Sequence, residues 1–130
     1  MLKNYSETYE DYLKAIYLIS KKKRGGWVSN SEISDFLNIK PPSVTNMLHK
    51  LKSERFISWQ PRKSIRLTNL GKKIGKSIVR KNTELKKFFM NVLGIKDDLK
   101  LQEISCKIEH HITPEVRMAL KNLNVIINEK

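Results

Sequence analysis

From Glu7 to about Lys22 the apolar positions recur at intervals of three and four. Tyr9, Tyr12, Leu13, Ile16 and Tyr17 share one side, which predicts an amphipathic helix that Gly25-Gly26 ends. Ser29-Asn30-Ser31-Glu32 has the spacing of a capping box, and Ile33, Phe36 and Leu37 follow on one short helical face. Asn38-Ile39-Lys40 then reads as a tight turn. Pro41 and Pro42 favour the opening of the next helix, which carries Val44, Met47, Leu48 and Leu51 inward as far as Glu54. After it the period drops to two. Phe56-Ile57-Ser58-Trp59-Gln60 and Ile65-Arg66-Leu67 alternate apolar and polar residues around Pro61-Arg62-Lys63-Ser64, the pattern of a hairpin with a basic tip. Three helices and a two-stranded wing make a winged helix-turn-helix.

The helical period resumes at Thr68, a good N-cap, and Leu70, Ile74, Ile78, Leu85, Phe88, Phe89 and Val92 continue it to a stop at Gly94. So long a helix exceeds what a small module uses internally, and predicts a connector to a dimer core. Asp97-Asp98 opens a further helix with Leu101, Ile104, Cys106 and Ile108. Thr113-Pro114-Glu115 opens the last, with Val116, Leu120 and Leu123. The predicted fold class is mostly α, a winged helix-turn-helix followed by a helical segment, divided near residue 70.

Charge sharpens this picture. The chain of 130 residues carries a net charge of +13, and residues 40–93 hold fourteen basic and two acidic side chains. Concentrating almost the whole excess around the second helix, the wing and the long helix suits a phosphate backbone, where each Lys or Arg releases a condensed counterion. The second helix of the helix-turn-helix pair, opened by the prolines, and the turn before it add Lys40, Pro42, Ser43, Thr45, Asn46, His49 and Lys50, types that bond base edges and phosphates in a major groove. Arg62 and Lys63 would lie along the backbone beside it. A basic surface for acidic proteins or membranes is the rival reading. It lacks a basic amphipathic helix with large apolar residues opposite.

No apolar run approaches the ~20 residues that span a bilayer, and Met1-Leu2-Lys3-Asn4-Tyr5 lacks the layout of a signal peptide, so a cytoplasmic protein is expected. The single cysteine, Cys106, fits a reducing compartment. There is no glycine-rich phosphate loop, serine elbow or histidine placed as a base for Cys106, so an enzyme is not expected.

Cys106, Glu109 and His110 stand at i, i+3 and i+4, and one helix would project all three from one face. Thiolate, carboxylate and imidazole together suit a divalent transition metal. Spacing leaves open the alternative of a small buried thiol beside a polar histidine pair. Three donors also leave a site unclosed, and Glu7, Glu10 and Asp11 in the first helix are the available fourth donors.

The stretch Ser6 to Leu18, the Lys40-Pro41-Pro42-Ser43-Val44-Thr45-Asn46-Met47-Leu48 turn and helix, Leu67-Thr68-Asn69-Leu70-Gly71, and Ile108-Glu109-His110-His111-Ile112 together resemble the diphtheria toxin repressor family of iron- and manganese-dependent regulators, in the same order along the chain. The resemblance implies an N-terminal winged-helix DNA-binding domain over 1–70 and a helical metal-binding and dimerisation domain over 71–130, without the SH3-like domain of longer members. It implies a repressor that binds double-stranded operator DNA as a homodimer, with no membrane or small-molecule substrate as partner. Residue by residue it implies Asp11, Cys106, Glu109 and His110 as ligands of the regulatory metal. The family's second ligand set departs here, with Asn82, Lys86 and Gln102 at its positions, and Lys14 replaces a carboxylate of manganese-type members. A protonated lysine repels cations, so the second site is expected to be lost or rebuilt. Cys106 favours Fe(II) as corepressor, with Zn(II) or Mn(II) as alternatives, because thiolate matches manganese poorly. The alternative reading is a metal-independent winged-helix DNA-binding protein with degenerate metal sites.

Overall fold

The computed structural model describes residues 6–60 and 64–128. These form α1 (Glu7–Lys21), α2 (Asn30–Leu37), α3 (Pro41–Ser53), β1 (Ile57–Trp59), β2 (Ile65–Leu67), α4 (Asn69–Asn91), α5 (Asp98–Ile108) and α6 (Pro114–Asn128), with short 3-10 turns at Arg24–Gly26 and Glu109–His111. The chain divides into two compact units, Met1–Lys76 and Ser77–Lys130, and α4 passes from the first into the second.

The first unit is built on its caps and its core. Ser6 Oγ accepts from the Tyr9 amide at the start of α1. The capping box of α2 is complete: Ser29 Oγ accepts from the Glu32 amide at 3.1 Å, and the Glu32 carboxylate accepts from the Ser29 amide at 3.0 Å. Asn38 ends α2 in the left-handed region at φ 55°, which asparagine tolerates, and Lys40 then runs extended into the prolines that open α3. Leu13 and Ile16 of α1, Ile33 of α2, and Val44, Leu48 and Leu51 of α3 are all fully buried in one cluster with Phe56 and Ile65. At about 1.5–3 kcal/mol for each such side chain, this cluster outweighs any single cap in holding the three helices together.

The wing pairs Ile57 with Leu67 and Trp59 with Ile65, antiparallel. Ile57, Ile65 and Leu67 face the core while Ser58 and Arg66 face out, the alternation read in the sequence. Val28 adds a bridge that the sequence did not announce: its amide donates to Ile65 O at 2.8 Å and its carbonyl accepts from Ile65 N at 2.7 Å. The connection after α1 is thereby tied to the wing. Thr68 caps α4 by accepting from the Gly71 amide at 3.2 Å, and its hydroxyl also donates to Arg55 O at 2.7 Å.

The second unit comprises the rest of α4, α5, the 3-10 turn and α6. Asp97 caps α5 through the amides of Leu99 and Lys100, and Thr113 accepts from Val116 to open α6. Asn124 of α6 donates to the backbone carbonyl of Glu84 at 3.1 Å and to its carboxylate at 2.8 Å, a buried polar clamp between α6 and α4. Leu93, Leu99, Met118, Val125 and Ile126 remain exposed on this unit, Leu99 to 83%.

Candidate metal centre and nucleic-acid interface

In the first unit the helix-turn-helix presents one polar face of α3. Pro42, Ser43, Asn46, His49 and Lys50 are exposed there, with Lys40 in the turn before them. Thr45 has a different environment. Its hydroxyl donates to Pro41 O at 3.1 Å and accepts from Asn30 Nδ2 at 2.8 Å, so it ties α3 to α2. The wing is fixed to the same helix by aromatic contact, the His49 ring meeting Trp59 edge-on with centroids 4.7 Å apart. Arg66 lies over the Trp27 ring on the outward face of β2. Arg62 and Lys63, at the expected wing tip, fall outside the described residues. Trp59 and Trp27 are the residues that sequence reasoning missed. Their place opposite basic side chains becomes visible only once the register is known.

In the second unit the predicted donors Glu109 and His110 stand side by side, and Asn82 reaches both Glu109 and Cys106, with one correction to how they are carried. The expectation of a single helix carrying Cys106, Glu109 and His110 fails, because α5 ends at Ile108 and Glu109–His111 tighten into a 3-10 turn before the extended Ile112. Such tightening satisfies carbonyls at a helix end that no glycine closes. The Glu109 side chain is completely buried and that of His110 is 3% exposed, with His110 Nε2 3.7 Å from Glu109 Oε1. Cys106 is half-buried on the last turn of α5.

Two amides border these donors. Asn82 of α4 donates to Glu109 Oε2 at 2.7 Å and lies 3.9 Å from Cys106 Sγ, while Gln102 of α5 donates to the same sulfur at 3.0 Å. Lys86, one turn beyond Asn82, donates to Gln102 Oε1. Burying a carboxylate is costly unless it is bonded, and here the buried Glu109 carboxylate has the His110 imidazole beside it and the Asn82 amide bonded to it, the same amide reaching the Cys106 sulfur. This donor set fits a divalent cation of borderline softness. Asp11, the remaining predicted ligand, is an exposed residue on α1 in the first unit.

Residues 4–65 match the family model described as iron dependent repressor, N-terminal DNA binding domain, and residues 68–124 match the iron dependent repressor metal binding and dimerisation domain. The chain belongs to the iron-dependent repressor family. Its members are metal-dependent regulators of transcription and not enzymes, and the diphtheria toxin repressor resemblance is confirmed. An uncharacterised helix-turn-helix-type transcriptional regulator of Methanocaldococcus jannaschii is 36% identical over 116 residues, covering 89% of this chain and 91% of that one. The helix-turn-helix-type transcriptional regulator MntR of Bacillus velezensis is 35% identical over 104 residues, 80% of this chain and 70% of that one. Among solved structures the manganese regulator SloR superposes with a TM-score of 0.73 at 27% identity, covering 95% of this chain and 54% of that one. The chain thus spans about half the length of that structure. No helix among the described residues is long and apolar enough to cross a membrane.

Proposed function

We propose that this iron-dependent repressor family chain represses transcription as a homodimer on operator DNA, with a divalent metal as corepressor, Fe(II) ahead of Mn(II) or Zn(II). The observation that carries the reading is the buried Glu109 carboxylate beside His110, with Cys106 joined to it through Asn82. Asp11 supplies the fourth donor in this reading. A bound cation provides the positive charge that four such donors need in order to share one place. Asp11 then ties the reading head to the second unit, which fixes the two α3 helices of a dimer for half-sites ~34 Å apart. Lys40, Pro42, Ser43, Asn46 and Lys50 meet the groove, Thr45 holds α3 in position, and Arg62 and Lys63 meet phosphates. The exposed Leu93, Leu99, Met118, Val125 and Ile126 support an apolar dimer contact in the second unit. Lys86 places a fixed positive charge where a second cation would have to sit, so one regulatory ion per chain is part of the proposal.

A second reading has its own support. Asn82 and Gln102 donate to Glu109 and Cys106, hydrogen bonds by which a metal-independent DNA-binding protein would hold these side chains. Duplexes selected from a random pool separate the two. Anaerobic binding measured with Fe(II) or Mn(II), and again with excess chelator, is expected to lose at least tenfold in affinity on chelation. Equal affinity in both arms establishes the metal-independent reading instead.

A further inference from the structure

The side chains around Cys106 form a directed chain whose order has a chemical consequence. A glutamine amide presents either its oxygen or its nitrogen to a neighbour, and the two ends have opposite effects on a sulfur lone pair. Lys86 settles which end Gln102 presents. An ammonium group has three donors and no acceptor, so its bond to Gln102 fixes the oxygen towards α4 and turns the NH2 group onto Cys106 Sγ, 3.0 Å away. Asn82 sits four residues before Lys86 on α4 and brings a second amide NH2, 2.7 Å from Glu109 Oε2 and 3.9 Å from the same sulfur. One face of α4 thus sets the environment of two donors carried by α5 and the turn after it.

Donated N–H groups draw electron density from a sulfur and weaken its donation to a cation. They also fix the direction of the remaining lone pairs, and outer bonds of this kind tune the affinity of a metal ligand. We infer that Lys86 and Gln102 are specificity-determining positioning residues. They moderate the softness of the Cys106 sulfur and so narrow the preference of the centre for thiophilic ions over harder ones such as Mn(II). The inference rests on the proposed metal centre, and its test separates the two.

The experiment uses Co(II), titrated into the full chain under anaerobic conditions, and follows the near-ultraviolet sulfur-to-cobalt charge-transfer band, with Mn(II) affinity measured by competition. Gln102→Leu removes the donor, Lys86→Leu releases the amide, and Lys86→Arg retains a cationic donor for Oε1. The two leucine variants are expected to move the band to longer wavelength by similar amounts, and to raise the ratio of Co(II) to Mn(II) affinity about tenfold. Lys86→Arg is expected to keep the wild-type band and ratio. A band present in wild type and unmoved by either leucine variant overturns the inference and leaves the metal centre standing. So does a band moved by Gln102→Leu and not by Lys86→Leu. Bound Co(II) with no sulfur band in wild type removes Cys106 from the ligand set, and both readings fail at that residue. Thermal unfolding of each metal-free variant checks that the second unit remains folded.

Discussion

Asn46 and Lys63 would meet DNA through different physics, and their loss should be felt differently. An asparagine bonding a base edge contributes discrimination, so Asn46→Ala is expected to reduce the preference for a selected duplex over random sequence by about 1–3 kcal/mol. A lysine on phosphate contributes to every sequence, so Lys63→Ala should weaken specific and random duplexes alike and lower the salt slope by about one. Salt-dependent binding of both duplexes checks the pair, and equal losses for both variants would remove Asn46 from the readout. Glu32 offers a test by pH. The Lys23 ammonium beside it lowers its carboxyl from the ordinary value of 4.5, opposed by partial burial and assisted by the Ser29 amide. Because the folded state holds the carboxyl below its unfolded value, this stabilisation is complete above that value and disappears as pH falls through the lowered one. Glu32→Gln should therefore cost about 0.3–1.5 kcal/mol in urea unfolding at pH 7, and the difference from wild type should close in acid. At this scale the sequence was legible wherever a residue acts on its neighbours, as the Ser29–Glu32 box does. It singled out Asn82 and Gln102 only as departures from a ligand set and was silent on what they hold, because neutral amides announce no partner until α4 and α5 meet.

At the scale of elements, α4 starts against the wing at a distance that only glycine permits. A Cβ at Gly71 would stand 2.2 Å from the Phe56 carbonyl oxygen, and one at Gly75 2.7 Å from the Leu13 carbonyl oxygen. Both neighbours are backbone and cannot swing aside. Alanine is the better helix former by about 1 kcal/mol, so an exposed helical glycine replaced by alanine would stabilise. Gly71→Ala is instead expected to destabilise by about 1–3 kcal/mol in urea unfolding, through overpacking of α4 against the chain at Phe56. A stabilised variant would show that the approach is looser than described. Element types followed from periodicity and capping, since Pro41-Pro42, Thr68 and Asp97 each mark a start through local chemistry. The 3-10 turn at Glu109–His111 did not. No glycine or proline stands between Ile108 and Pro114, so the break between α5 and the residues after it leaves no mark in the pattern. Val28 escaped for a related reason, because a one-residue bridge has no period to detect.

Over the whole molecule, two units with different chemistry share one chain. The first carries a basic reading head on a largely apolar core, and the second carries the sulfur, carboxylate and imidazole donors and keeps large apolar side chains exposed. In the proposed switch the cation and the DNA act on one equilibrium, through Asp11 on one unit and Cys106, Glu109 and His110 on the other. Linkage makes that coupling reciprocal: if the ion tightens DNA binding by some factor, DNA must tighten ion binding by the same factor. The most direct measurement is Mn(II) affinity of the full chain, by calorimetry at fixed salt, with and without a saturating selected duplex. Mn(II) is expected to bind more tightly on DNA, by about 5–150-fold, with the gain abolished in Asp11→Ala. An Mn(II) affinity unchanged by the duplex would contradict the switch.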